Sequence, residues 1–96
     1  MRCLGKNKFK MYYCYILKCG DDTLYCGYTN NIERRIGVHN AGKGAKYTRT
    51  RLPVQLVYSE EYLTKSLAMR REYQIKQLSR TQKLQLIKIH QLNADY

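Results

Sequence analysis

The chain has no tryptophan, one phenylalanine, one proline and only seven acidic residues among its 96. With a single proline, six glycines and no internal repeat, it matches neither a low-complexity disordered segment nor a solenoid. It also lacks any stretch close to the roughly 20 consecutive apolar residues that a membrane-spanning helix requires, so a membrane is not expected among its partners. The apolar run at residues 11–17 follows Arg2, Lys6, Lys8 and Lys10, as in a secretory signal. Lys18 and Asp21 interrupt that run early and no small-residue cleavage site follows, so the expected location is cytoplasmic. Cys3, Cys14, Cys19 and Cys26 include no pair with the C-x-x-C spacing of a zinc knuckle or redox site. Cys14 and Cys26 lie in apolar runs, where a free thiol behaves as a small hydrophobe, and are expected to be buried and reduced.

What the chain has in excess is positive charge. Eighteen Lys and Arg against seven Asp and Glu give a formal charge of +11. Such an imbalance favours a polyanionic partner, and nucleic acid is the leading reading. At this length one domain with one modest core is expected, and therefore one site.

Hydrophobic periodicity and turn chemistry divide the chain. Residues 1–10 are basic and aperiodic and read as a flexible arm, with the folded domain spanning 11–90 and a short tail at 91–96. Residues 12–18 and 23–28 are rich in β-favouring and aromatic side chains, and Gly20, Asp21 and Asp22 between them supply a turn. They predict an antiparallel hairpin in which Tyr13, Tyr15 and Leu17 share one face and Tyr12, Cys14 and Ile16 the other. Asn30 or Asn31 caps a helix running to about Asn40, ended by Gly42 and Gly44. On that helix Arg35 and His39, four apart, share a face. Residues 42–53 read as a loop, 54–60 as a third strand and 64–78 as a second helix with Ala68, Arg71, Ile75 and Leu78 along one side. Ser79 to Gln82 forms a capping-box pattern that begins a third helix. The expected order is ββαβαα, a small α/β (α+β) domain with a three-stranded antiparallel sheet flanked by helices.

The segments "YCYIL" and "LYCGYT" on the hairpin, "NNIERRIGVHN" on the first helix and "RREYQIKQL" on the second resemble the GIY-YIG nuclease module from residue 12 to residue 87. Tyr13, Cys14 and Tyr15 stand at the first namesake motif, and Tyr25, Cys26 and Gly27 match the second. The string "HNAGKGAKYTR", residues 39–49, makes the chain most similar to the small stand-alone bacterial members of UPF0213 type. Tyr13 departs from the glycine of the first motif. Tyr28 stands where several members carry a lysine.

The resemblance implies a metal-dependent DNA endonuclease that hydrolyses phosphodiester bonds, structure-selective or non-specific, in DNA repair or processing and associated with the nucleoid. RNA is left open as a second substrate, and a non-catalytic nucleic-acid-binding module on the same fold is the alternative. The implied catalytic residues are Tyr15, Tyr25, Arg35, His39 and Glu72. Glu72 would hold one Mg²⁺ or Mn²⁺, since such a hard cation takes oxygen ligands and often uses one or two carboxylates. On residue chemistry alone the better reading of Glu72 is a surface glutamate paired with Lys76, and the resemblance reverses that preference. Tyr15 and Tyr25 are phenols for activating and placing water. Because an unperturbed phenol has a pKa near 10, a base role is expected to depend on nearby cations or metal-bound water, with Arg35 and His39 as the sources of positive charge and His39 also suited to shuttle a proton or hydrogen-bond the scissile phosphate. Arg35 offers a planar fork for phosphate oxygens. Lys43, Lys46, Tyr47, Arg49 and Arg51 form a basic loop with one aromatic, expected to contact the DNA backbone and stack on a base.

Overall fold

Tyr12–Lys18 is apolar at almost every position, and in the computed structural model, which describes residues 10–94, it forms the central strand β1 of a three-stranded antiparallel sheet. Its neighbours are β2 (Leu24–Thr29) and β3 (Gln55–Tyr62), in the order β2-β1-β3. A central strand covered on both faces needs apolar side chains pointing both ways, and Cys14, Tyr15, Ile16 and Leu17 are all at least 98% buried.

The two faces support separate cores. On one, Cys14, Ile16, Cys26 and Tyr58 pack against Ile75 of α3 (Lys65–Lys76) and Ile87 of α4 (Arg80–Ala94). On the other, Tyr15, Leu17, Cys19 and Val54 pack with Tyr25, Leu52 and Ile36 of α1 (Ile32–Asn40). Cys14, Cys19 and Cys26 are free, buried thiols; Cys3 lies outside the described residues.

The helix ends follow their sequence signals. Asn31 Oδ1 accepts from the Arg34 amide at 3.1 Å, and Thr64 Oγ1 accepts from the Leu67 amide at 3.2 Å. The capping box is reciprocal: Ser79 Oγ accepts from the Gln82 amide and Gln82 Oε1 accepts from the Ser79 amide. The order is ββαβαα as expected, with one added turn of helix, α2 (Lys46–Arg49), inside the expected loop.

Some boundaries move for identifiable reasons. β3 begins one residue late because the Asn40 side chain takes both backbone groups of Val54, accepting from its amide at 2.8 Å and donating to its carbonyl at 3.1 Å. It ends late because Glu61 and Tyr62 still pair with Tyr13 and Tyr12. Helix α4 runs to Ala94, so residues 91–94 continue the helix instead of starting a tail at 91. Residues 1–9 of the expected arm and 95–96 of the tail lie outside the described residues. Arg71, placed by periodicity on the inward stripe of α3, reaches the Glu60 carboxylate with Nε at 2.9 Å and Nη2 at 3.2 Å. Tyr58 and Tyr62 donate to the same carboxylate, which ties β3 to α3. Among the described residues no helix is long and apolar enough to cross a membrane.

Candidate active site

The pairing of β1 with β2 sets Tyr15 directly opposite Gly27 and Leu17 opposite Tyr25. With no side chain at Gly27, the Tyr15 ring lies across that position: a Cβ built there would stand 2.6 Å from its hydroxyl oxygen. The glycine of the second motif is therefore a space requirement set by a tyrosine of the first.

A cleft of about 540 Å³ opens beside this pair, and Tyr15, Tyr25, Arg35 and Glu72 all line it. They come from β1, β2, α1 and α3, so only the folded sheet with a helix on each face assembles them. Arg34, expected to be a solvated neighbour of Arg35, also lines the cleft, as does Lys65 at the start of α3. The wall thus carries three cationic side chains and one carboxylate.

His39, the fifth candidate, is not part of the wall. It lies beneath it, fully buried, with Nε2 3.2 Å from the Tyr15 hydroxyl and Nδ1 2.8 Å from the Thr48 hydroxyl. Its ring meets those of Tyr15 and Tyr25 edge-on, with centroids 6.3 Å and 5.3 Å apart. A Cβ at Gly44 would collide with the imidazole, so the loop can close over His39 only as glycine. Sequence reading missed Thr48 and gave Gly44 only a helix-ending role. Both lie in the "GKGAKYTR" string, where charge and aromaticity drew attention away from a small buried hydroxyl.

Burial governs the protonation of this pair. It pushes the Tyr15 phenol up to about 12, an effect the neighbouring Arg35 guanidinium only partly offsets. Burial, with a smaller contribution from the charge of Arg35, holds the His39 imidazole below its usual value. The resting site therefore contains a phenol and a neutral imidazole. This differs from the expectation that Arg35 and His39 together would stabilise a phenolate, because desolvation outweighs Arg35 and leaves His39 without charge.

Glu72 is mostly buried along its side chain, and its Oε2 lies 3.2 Å from Lys76 Nζ. The carboxylate in the cleft wall and the surface pair with Lys76 are therefore both present. Among the described residues no group of three or more His, Cys, Asp or Glu side chains could enclose a metal. The donor set is one carboxylate and phenolic oxygens at an open cleft. That set suits a hard cation retaining most of its water, such as Mg²⁺ or Mn²⁺, and does not suit a zinc cage.

The basic loop divides into two kinds of residue. Lys43, Lys46 and Arg49 are exposed and outside the cleft wall. Tyr47 and Arg51 are engaged within the protein. The Tyr47 ring stacks on Tyr25 at 6.0 Å with planes 26° apart, and the Arg51 guanidinium sits 4.0 Å above its centroid. Arg51 also donates to the Tyr47 carbonyl at 2.8 Å and pairs with Asp21 at 3.2 Å. This chain of contacts fastens α2 to the hairpin turn and holds Thr48 beside His39.

The chain is similar to known proteins in both sequence and fold. Residues 11–85 match the family model described as the GIY-YIG catalytic domain. A UPF0213 protein of Staphylococcus haemolyticus is 64% identical over 76 residues, 79% of this chain and 93% of that protein. A UPF0213 protein of Natronomonas pharaonis is 57% identical over 76 residues, again 79% of this chain and 89% of its own length. The solution NMR structure of a UPF0213 protein from Bacillus halodurans superposes with a TM-score of 0.54 at 49% identity, covering 82% of this chain and 84% of that one. A second NMR structure, of a protein from E. faecalis, gives 0.59 at 44% identity over 86% and 88% of the two chains. The cleft that brings together Tyr15, Tyr25, Arg35 and Glu72 thus lies in a chain that belongs to the GIY-YIG nuclease family, among its UPF0213 members.

Proposed function

We propose that the protein is a metal-dependent DNA endonuclease that hydrolyses phosphodiester bonds, non-specifically or by DNA structure, in DNA repair or processing. The observation that carries this reading is the convergence of two tyrosines, an arginine and a glutamate on one cleft, with a buried histidine behind the first tyrosine. The cationic wall of the cleft is suited to the phosphate backbone that DNA and RNA share.

Arg35, with Arg34 and Lys65 beside it, would seat the scissile phosphate and neutralise charge that grows as a fifth oxygen bonds to phosphorus. Tyr25 would place the attacking water. As that water's oxygen bonds to phosphorus, its proton passes to the Tyr15 oxygen while the Tyr15 proton moves to His39 Nε2, and the P–O3′ bond breaks, the departing O3′ taking a proton from solvent water and His39 returning its proton to solvent through Tyr15. A relay of this kind suits a tyrosine that rests as a phenol beside a neutral imidazole. Held through Glu72, one Mg²⁺ or Mn²⁺ would supply Lewis-acid stabilisation of the phosphoryl and leaving oxygens.

One observation favours the alternative, a binding module without catalysis: Lys76 occupies Glu72 Oε2. That pair is i,i+4 with a half-exposed lysine, worth only about 0.3–0.5 kcal/mol, and a divalent cation displaces it readily. The test offers purified protein a panel of labelled single strands, flaps, junctions, duplexes and RNA with Mg²⁺, Mn²⁺ or chelator. Cleavage that requires metal and stops on chelation is expected. Binding without cleavage on every substrate would leave the binding module as the account.

A further inference from the structure

Thr48 lies on a four-residue turn of helix and is fully buried beside a fully buried histidine. Its Oγ1 makes two polar contacts, one to His39 Nδ1 at 2.8 Å and one to the Ala45 carbonyl at 3.0 Å. A carbonyl only accepts, so the single hydroxyl hydrogen, if given to Ala45, leaves Thr48 with lone pairs facing the imidazole. His39 Nδ1 must then carry the hydrogen, and Nε2 presents its lone pair to the Tyr15 hydroxyl 3.2 Å away.

The opposite arrangement reverses every bond: Thr48 donates to Nδ1, and Nε2–H donates to Tyr15. The Thr48 oxygen then faces the Ala45 carbonyl oxygen at 3.0 Å with no hydrogen between them, a repulsive contact inside the buried turn. The Tyr15 hydrogen, released from His39, turns toward the cleft that the residue lines. The first arrangement satisfies every hydrogen in the chain Tyr15 to His39 to Thr48 to Ala45, and it is the one that buried polar groups favour.

We propose that Thr48 is a positioning residue that fixes His39 in the Nδ1–H tautomer, so that Nε2 is held open to take the Tyr15 proton. The use of this tautomer in hydrolysis rests on the nuclease reading above; the tautomer itself does not. The cage around the ring supports the assignment. Gly44 closes against the imidazole, and Arg51 and Tyr47 hold the turn that carries Thr48. Rotation of His39 is blocked, so its hydrogen position is set by the partner at Nδ1. The Ala45 carbonyl also accepts from the amides of Thr48 and Arg49, so loss of the Thr48 hydroxyl strands only the histidine.

The experiment reads the tautomer directly, without DNA or metal, by long-range proton–nitrogen NMR of ¹⁵N-labelled protein at a pH where the imidazole is neutral. A His90→Gln protein separates the two histidines. The expected wild-type signature is a protonated, pyrrole-type Nδ1 and an unprotonated, pyridine-type Nε2 at His39. Thr48→Val should shift His39 to the other tautomer or a mixture, and Thr48→Ser should restore it. A wild-type spectrum with a pyrrole-type Nε2 would overturn the proposal, as would a folded Thr48→Val protein with an unchanged signature. If the valine variant fails to fold, the wild-type spectrum still decides, because only one tautomer is compatible with the assigned role. In cleavage assays Thr48→Val should lower kcat about 10-fold with KM within about twofold, and serine should recover it. If the wild-type protein cuts no DNA while showing the expected tautomer, the nuclease reading fails and the assignment of Thr48 stands.

Discussion

Replacing Gly27 with alanine adds one methyl group at the point where the two motif strands meet. The added carbon would lie 2.6 Å from the Tyr15 hydroxyl oxygen, 2.8 Å from Cζ and 3.3 Å from Cε2. Carbon contacts are comfortable at about 3.5–4.0 Å, so the ring must retreat by roughly 1 Å. It has little room to do so, being 2% exposed, packed against α1 and joined at its hydroxyl to a histidine that Gly44 hems in from behind. Overpacking of this kind costs about 1–3 kcal/mol. In a domain of this size each kcal/mol lowers Tm by about 4–8 °C, so a fall of several degrees is expected. Displacing a proton-transferring hydroxyl by about 1 Å should reduce cleavage about 100-fold. Gly37 is the control: it lies in α1 with nothing near its missing side chain, and Gly37→Ala should stabilise the helix by about 0.5–1 kcal/mol without loss of cleavage. Thermal melts by circular dichroism and single-turnover cleavage read both effects. A Gly27→Ala protein with parental Tm and parental rate would refute the claimed contact between the motifs.

Two further outcomes follow from charge. The exposed Lys46 and Arg49 should contact phosphates, so the Lys46→Ala/Arg49→Ala protein should flatten the dependence of log K on log salt by up to about 1.8, at about 0.9 per lost contact on duplex DNA. Affinity that does not change between roughly 50 and 200 mM salt would remove the basic surface from the account. The folded-state pKa of His39 is depressed, so the unfolded chain binds the proton more readily. The contribution of His39 to stability is therefore present above about pH 6.5 and is lost as pH falls through the lower folded value. Urea unfolding at pH 7.5 and at pH 5 should show this loss in the wild type and a smaller one in His39→Gln; equal losses would contradict the buried neutral imidazole.

The parts of the fold that sequence disclosed are those with local signals. β1 is apolar at consecutive positions because both its faces are covered, and the capping residues Asn31, Thr64 and Ser79 mark helix starts by their own side-chain chemistry. The four-residue α2 has no apolar period. It is held by tertiary contacts of Thr48, Tyr47 and Arg51, so nothing local marks it as helix. The same distinction applies at the site. Tyr15, Tyr25, Arg35, His39 and Glu72 were named through motif resemblance, whereas the burial of His39 behind the wall depends on how three segments close together. Arg51 and Tyr47 read as nucleic-acid contacts by residue type, and their contacts within the protein, to Asp21 and Tyr25, are distant in sequence and leave no local signal. The protonation of Tyr15 was likewise beyond sequence, because it turns on desolvation exceeding one nearby guanidinium.

The most direct test of the central claim is DNA cleavage by Glu72→Gln, measured beside DNA binding by the same protein. The substitution keeps size and hydrogen bonding, removes the charge proposed to hold the cation, and forfeits only the weak pair with Lys76, about 0.3–0.5 kcal/mol. Circular dichroism should therefore show an intact fold, and affinity should persist or rise slightly as one negative charge leaves a cationic cleft. Cleavage should fall by at least about 100-fold, since several kcal/mol of Lewis-acid stabilisation are lost and each 1.4 kcal/mol is about tenfold in rate. Folded Glu72→Gln protein that cuts DNA at close to the parental rate would contradict the account, because the carboxylate in the cleft would then not be holding the catalytic cation.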